Sequence, residues 1–153
     1  MKILHITKKK TAAAAAAAAG IVLLAVLLPG RKEAEEPPCL LESNADRVAY
    51  LEQWGWEVEP EPLETFQLLL GETLEEPWLS YNVLQRSQGF DLEPFRGKHL
   101  SRSTYAVTNY PGGREGVQVN LYVCEGVPVA GDVFCAGADG FRNPLAYPDE
   151  GQA

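Results

Sequence analysis

The longest apolar run of the chain lies near its N-terminus. Residues 12–28 are alanine, isoleucine, valine and leucine apart from Gly20, and none is charged. As a helix this run spans roughly 26 Å at about 1.5 Å per residue, close to the roughly 30 Å hydrocarbon core of a bilayer. Because it is apolar on every side, it differs from the one-sided stripe of a packed soluble helix. The pattern predicts one N-terminal transmembrane helix over residues 12–28.

The residues on either side of this run predict its orientation. Residues 1–11 contain Lys2 and Lys8–Lys10 and no acid, so we expect a cytoplasmic basic head and a domain outside the cytoplasm. The alternative is a secreted protein, released after cleavage of a signal peptide. Cleavage requires small residues at the last and third-last positions before the cut, and no site after the run fits well. We therefore favour an uncleaved anchor, followed by an acidic, proline-containing stalk over residues 29–42.

Two helices are predicted in residues 43–147 from capping signals and apolar spacing. Ser43 with Asp46 has the spacing of a capping box, and we expect the first helix to run to about Trp54 and to stop at Gly55. Thr73 with Glu76 repeats that spacing and predicts a second helix that ends at Gly89. The inward face of the second helix is predicted from apolar residues three to four apart, namely Leu74, Trp78, Tyr81 and Leu84.

Alternating apolar residues predict the strands. A short strand is expected at Trp56 and Val58, and a short buried strand at Phe66–Leu70. Three further strands, at 100–110, 117–123 and 127–133, are separated by the turns Pro111-Gly112-Gly113 and Glu125-Gly126 and predict an antiparallel meander. Pro128 cannot donate to a ladder, so its strand is expected at an edge or with its N–H side free. The sequence thus predicts an α+β domain over 43–147, with helix packed on one face of a small antiparallel sheet, and a short tail over 148–153.

The charge of the chain narrows the classes of partner. The formal net charge is −8, and residues 31–153 hold all 21 acidic residues and 9 of the 13 basic ones, which gives them a charge of −12. A nucleic-acid-binding surface needs clustered lysine and arginine, so nucleic acid is not expected as a partner. Besides the membrane, we expect an unidentified protein or a cationic ligand of the cell envelope, with binding that weakens as salt rises.

Three cysteines are too dispersed to suggest a metal site. If Glu125-Gly126 is a two-residue turn, Cys124 lies opposite Val127, and Cys135 is roughly 26 Å further along the strand. A disulfide between Cys124 and Cys135 is therefore disfavoured, and free thiols are the simpler interpretation. No Cys-x-x-Cys pair occurs, and His99 is the only histidine outside the N-terminal head, so we expect neither a metal nor a cofactor.

The polar residues of the second helix are the best candidates for a binding groove. A Gly-x-Ser-x-Gly motif is absent from the sequence, which gives no support to a hydrolytic triad. One helical face carries Tyr81, Gln85 and Gln88, and their polar ends could line a groove beside the sheet. The candidate groove residues are Tyr81, Asn82, Gln85, Gln88, Asp91 and Asp132. The alternative is that Tyr81 packs inward while the amides tie the helix to the loop that follows.

A series of short segments resembles a known family. They are Gly55-Trp56-Glu57-Val58, Tyr81–Gln85, Gln88–Leu92, Gly97-Lys98, Thr104-Tyr105, Asn109-Tyr110-Pro111, Gly131-Asp132-Val133 and Asp139-Gly140-Phe141. In this order they are similar to domain-of-unknown-function family 4830, a small domain of Gram-positive Firmicutes that usually follows one N-terminal membrane segment. The resemblance covers about residues 45–145 and implies location and architecture, with no known activity or catalytic residues. We therefore expect an anchored extracytoplasmic binding domain without catalysis. The alternative is a small enzyme or enzyme inhibitor that uses acidic residues such as Asp91 and Asp132.

Overall fold

A computed structural model describes residues 39–148, which fold into two α-helices and a five-stranded antiparallel sheet. In chain order the elements are α1 Asn44–Gln53, β1 Glu64–Leu69, α2 Trp78–Arg86, β2 His99–Ala106, β3 Val117–Cys124, β4 Val127–Cys135 and β5 Phe141–Asn143. The α+β class is confirmed. The transmembrane helix predicted at 12–28 and the head before it lie outside the described residues, as do most of the stalk and of the tail. Within residues 39–148, no helix is long and apolar enough to cross a bilayer.

Helix α1 forms as its capping signal predicts. The Ser43 hydroxyl accepts the backbone N–H of Asp46 at 3.1 Å, and the Asp46 carboxylate accepts the backbone N–H of Ser43 at 2.7 Å. This reciprocal pair satisfies two of the N–H groups that a helix start leaves free. Gly55 ends the helix with φ of 93°, a left-handed conformation that glycine adopts without steric cost.

Helix α2 starts later than predicted. Pro77 is its N-cap residue and offers no side-chain hydrogen bond, so the capping box expected from Thr73 and Glu76 is wrong. The reason is steric, because the ring of Pro77 disfavours helical backbone angles at Glu76. Glu76 instead reaches forward and accepts the Ser80 hydroxyl at 2.8 Å.

The sheet is a meander in which strand order follows chain order, from β1 to β5. The predicted three-stranded part is confirmed in β2, β3 and β4, with Cys124 opposite Val127 across the turn Glu125-Gly126. The Phe66–Leu70 run does form a strand, yet β1 lies at the edge and is largely exposed instead of buried. Around Trp56 the chain makes only one isolated bridge, between Val58 and Val107. Strand β5 was not predicted.

Hydrophobic residues cover both faces of the sheet. Alternate residues of β3 point to opposite faces, and both sets are buried, so this strand is covered on both sides. On one face, α1 and Trp56 pack against Val117, Val119, Leu121 and Val123. On the other face, α2 packs against Leu100, Tyr122, Cys124 and Val129. The expectation of helix on one face is therefore corrected, since each face carries one helix.

The strand register also explains the cysteines. Cys124 pairs with Val127, and Cys135 pairs with Val117 at the other end of the β3–β4 hairpin. This confirms the geometry that disfavours a bridge between them. Cys39, Cys124 and Cys135 are all free thiols.

Candidate functional site

A row of buried polar residues crosses the middle of the sheet on the face covered by α2. Thr104, Asn120 and Asp132 lie opposite one another on β2, β3 and β4, and each is at most 4% exposed. The Thr104 hydroxyl donates to Asn120 Oδ1 at 2.7 Å. The Asn120 amide then donates to both carboxylate oxygens of Asp132 at 3.3 Å. Because buried polar groups cost free energy unless they are hydrogen-bonded, the row is stable only as a set.

Helix α2 completes this row through Tyr81. Its hydroxyl donates to Asp132 Oδ1 at 2.6 Å, and on the other side Arg142 Nε lies 3.6 Å from Asp132 Oδ2. Burial raises the pKa of Asp132. Burial, and then the negative charge of Asp132, raises the pKa of Tyr81 well above its ordinary value. Tyr81 therefore remains a hydroxyl donor, and Asp132 is held by three side chains.

Gln85 of α2 and Gln88, in the turn that follows the helix, bind the free edge of β4. Gln85 donates from Nε2 to the Gly131 carbonyl at 3.0 Å, and its Oε1 accepts the Gly131 N–H at 2.9 Å. Gln88 donates to the same carbonyl at 2.7 Å and accepts the N–H of Leu145 at 2.6 Å. The Gln85 amide thus occupies the place of a neighbouring strand where β4 has not yet met β5.

Asn82 and Asp91 form a separate cluster at the end of α2. Asn82 donates to Asp91 Oδ1 at 3.0 Å and accepts the N–H of Leu92 at 2.8 Å. The hydrogen bond from Asn82, followed by the one from the Glu93 N–H, lowers the pKa of Asp91 to about 2. Arg86 adds an ion pair at 3.3 Å. This cluster fixes the turn that leads from the helix into the following loop.

The structure therefore divides the six predicted groove residues into two groups. It brings Tyr81, Gln85, Gln88 and Asp132 together at β4, and it places Asn82 and Asp91 in the turn after α2. The amides of Gln85 and Asn82 are buried and bond to the protein itself. Sequence reasoning missed Thr104, Asn120 and Arg142, because polar residues that alternate with apolar ones in a strand are normally taken as solvent-facing.

Next to this network lies a pocket of about 410 Å³ whose walls are mostly apolar and include three aromatic rings. It is lined by Pro77, Trp78, Ser80, Tyr81, Leu84, Tyr122 and Arg142. The rings of Trp78, Tyr81 and Tyr122 contact one another at centroid distances of 5.7–5.8 Å. The Arg142 guanidinium, half exposed, stands at the rim with its central carbon 5.7 Å from the Tyr81 ring centroid. This is an apolar site with one cationic group at its mouth.

The arrangement offers no metal-binding cluster. Within residues 39–148, no three side chains of His, Cys, Asp or Glu converge closely enough to hold an ion. His99 is an exposed residue at the start of β2, opposite Leu69 of the edge strand.

Comparison with known protein families gives one result. Residues 50–125 match the model of the family described as Domain of unknown function (DUF4830), which confirms the resemblance found in the sequence. The chain belongs to the DUF4830 family. Comparisons with curated proteins and with solved structures found no match.

The residues matched by the DUF4830 model include most of the pocket lining. They include α2, Trp78, Tyr81 and Tyr122, and they end at the β3–β4 turn. Two residues of the site lie beyond the matched residues. They are Asp132, which accepts the Tyr81 hydroxyl, and Arg142, which stands at the rim of the pocket. The DUF4830 match thus covers most of the pocket lining and carries no activity with it.

Proposed function

We propose that this DUF4830 chain is a single-pass membrane protein whose extracytoplasmic domain binds a partner in the pocket beside α2, without catalysis. The anchor is supported by the uncharged residues 12–28 behind a lysine-rich start. Binding is supported by one observation above all, the aromatic pocket with Arg142 at its rim. Tryptophan, tyrosine and arginine are the residue types that contribute most energy to interfaces when they lie together in one hollow.

The contacts of the acidic residues favour binding over catalysis. Asp132 is fully buried, and Tyr81, Asn120 and Arg142 already engage its oxygens. Asp91 accepts hydrogen bonds from Asn82 and Glu93, and its low pKa keeps it ionised at neutral pH, so it is a poor general acid. An enzyme or inhibitor built on these two carboxylates would have to break both sets of contacts.

The anchored topology is tested by proteolysis of intact cells that produce the chain with a C-terminal tag. We expect an added protease to remove the tag, while an N-terminal fragment stays in the membrane fraction. A tag that is degraded only after the cells are lysed would place the domain inside and overturn the proposal. A chain recovered in the medium, with a new N-terminus after residue 28, would replace the anchor with a cleaved signal.

Filling the pocket is expected to abolish binding there. The probe is 3-phenylpropionate, which offers an aromatic ring to the apolar walls and a carboxylate to pair with Arg142 at the rim. Ser80 is exposed and lines the pocket, so Ser80→Trp should weaken binding to the full chain at least tenfold in saturation-transfer NMR. Val83→Trp is the matched control, because it adds the same ring to a part of α2 that is 68% exposed and outside the pocket. Equal loss in both variants, or no loss in Ser80→Trp, would contradict this site.

A further inference from the structure

Strand β1 is an open edge of the sheet. Among residues 39–148 it pairs only with β2, and five of its six residues are exposed. Natural sheets usually protect such an edge with a lysine, a proline, a bulge or a covering element. Residues 64–69 contain no lysine and no proline, and their pairing with β2 runs without a register shift. The contrast lies at β4, where the side chains of Gln85 and Gln88 occupy the free edge.

The register identifies the backbone groups that β1 leaves unused. Leu70 N–H donates to the Lys98 carbonyl at 2.9 Å, directly after the strand. Since hydrogen-bonded pairs alternate in an antiparallel ladder, Phe66 and Leu68 also face β2. Thr65, Gln67 and Leu69 therefore direct their N–H and C=O groups outward. Within residues 39–148 these outward groups have no hydrogen-bond partner.

The side chains at this edge are apolar and exposed. Leu63, Phe66 and Leu69 are 59%, 37% and 61% exposed, which is unusual for large apolar residues so close together. Phe66 is held in place by Arg102, whose guanidinium carbon lies 4.1 Å from the ring centroid. An added strand would cover these side chains as well as the backbone groups.

The charge around the edge selects the kind of strand that it would accept. Residues 55–85 contain seven glutamates and no lysine or arginine, and every one of these glutamates is exposed. Two nearby cations are already occupied, since Lys98, just before β2, pairs with Glu125, and Arg102 of β2 pairs with Glu64. Arg47, which borders the same surface hollow as Gln67, is partly buried. The edge is therefore flanked by negative charge at both ends.

We propose that β1 takes up an extended, cationic segment of a partner protein as a sixth strand of the sheet. Six residues at about 3.4 Å each give a contact of roughly 20 Å, enough for a short peptide that adds a strand. A second copy of this chain is a poor occupant, because it would bring the same glutamates against each other. The surface is separate from the pocket beside α2, and the proposal rests on the proposed function only in treating the domain as a binding module.

The test uses the full chain in mild detergent and a fluorescent peptide of alternating lysine and valine. The key variant is Gln67→Pro, which removes an outward N–H and leaves the β2 ladder intact, because the alternation of the antiparallel ladder turns the Gln67 N–H away from β2. We expect at least tenfold weaker binding for Gln67→Pro in fluorescence anisotropy. Gln67→Ala is the matched control, since it keeps the N–H, and it should bind as the unmodified chain does.

Charge is tested with a second pair of variants. Glu61→Lys reverses a charge beside the edge and should weaken peptide binding several-fold, whereas Glu115→Lys makes the same change at the distant turn before β3 and should not. Affinity should also fall as salt is raised.

The peptide itself keeps the test decisive if Gln67→Pro fails to fold. Methylation of every second amide, on the edge that faces β1, should abolish binding, while methylation of the other set should not. The proposal is overturned if the two methylated peptides bind equally well, or if a glutamate-valine peptide binds as tightly as the lysine-valine peptide. It is also overturned if the chain associates with itself and Gln67→Pro abolishes that association. None of these outcomes bears on the membrane topology or on 3-phenylpropionate binding.

Discussion

Trp56→Ala is expected to lower the free energy of unfolding of the domain by about 3–5 kcal/mol, the usual cost of removing a buried tryptophan. Trp56 is fully buried and stacks on Tyr110, with 6.0 Å between ring centroids, while Tyr147 approaches it to 4.7 Å. Its Nε1 donates to the Leu145 carbonyl at 2.6 Å and so ties the C-terminal segment to the core. The substitution therefore removes packing and a buried hydrogen bond together.

Denaturant unfolding followed by circular dichroism measures the loss of stability. Two further variants separate the contribution of packing from that of the hydrogen bond and provide a control. Trp56→Phe keeps most of the apolar contact and loses the donor, so its loss should be well below that of Trp56→Ala. Trp54→Ala is the control for a tryptophan of the same region, because Trp54 is only partly buried and should cost less. If Trp54→Ala proves as damaging as Trp56→Ala, the core is not centred on Trp56.

Gln85→Met is expected to cost about 2 kcal/mol of stability although it keeps the volume of the side chain. The change leaves the Gly131 N–H without its acceptor in a buried place, and an unsatisfied buried donor costs about 1–3 kcal/mol. The Gly131 carbonyl still accepts a hydrogen bond from Gln88, so the loss of stability comes mainly from the unsatisfied Gly131 N–H. Hydrogen exchange of the full chain should show faster exchange at the Gly131 amide.

The same substitution at an exposed position is the control for Gln85. Gln53 ends α1 at the surface, and Gln53→Met should change stability by less than about 0.5 kcal/mol. Gln85→Glu should cost at least as much as Gln85→Met at neutral pH, because it buries a carboxylate against the Gly131 carbonyl. Equal stability of Gln85→Met and Gln53→Met would mean that the amide does not hold α2 to β4.

Local signals in the sequence predicted the parts of this fold whose causes are local. The capping pair Ser43 and Asp46 and the turn Glu125-Gly126 each involve residues within four positions, and both appear as expected. The error at α2 has an equally local cause, since Pro77 restricts Glu76. The exposure of β1 could not be predicted, because an apolar run does not reveal whether a strand will pair with it on both sides or on one side only.

In the candidate site, too, local features were predictable and tertiary contacts were not. Helical spacing correctly placed Tyr81, Gln85 and Gln88 on one face of α2, yet it could not reveal what that face meets. Gly131 and Leu145 are more than forty residues away in the chain, and the alignment of Thr104, Asn120 and Asp132 depends on the register of three strands. Contacts of this kind follow from tertiary pairing, which a single sequence does not expose.

The way the chain enters the domain decides how it bears mechanical load. Leu41 is buried, and its N–H donates to the Gly126 carbonyl at 2.7 Å, at the turn that joins β3 and β4. A pull on the residues before 39 therefore reaches the domain at the hairpin with the most extensive pairing of the sheet, and not at the exposed edge strand. For a tethered domain, a pull from the N-terminal side would thus load Leu41 and the Gly126 turn before it loads β1.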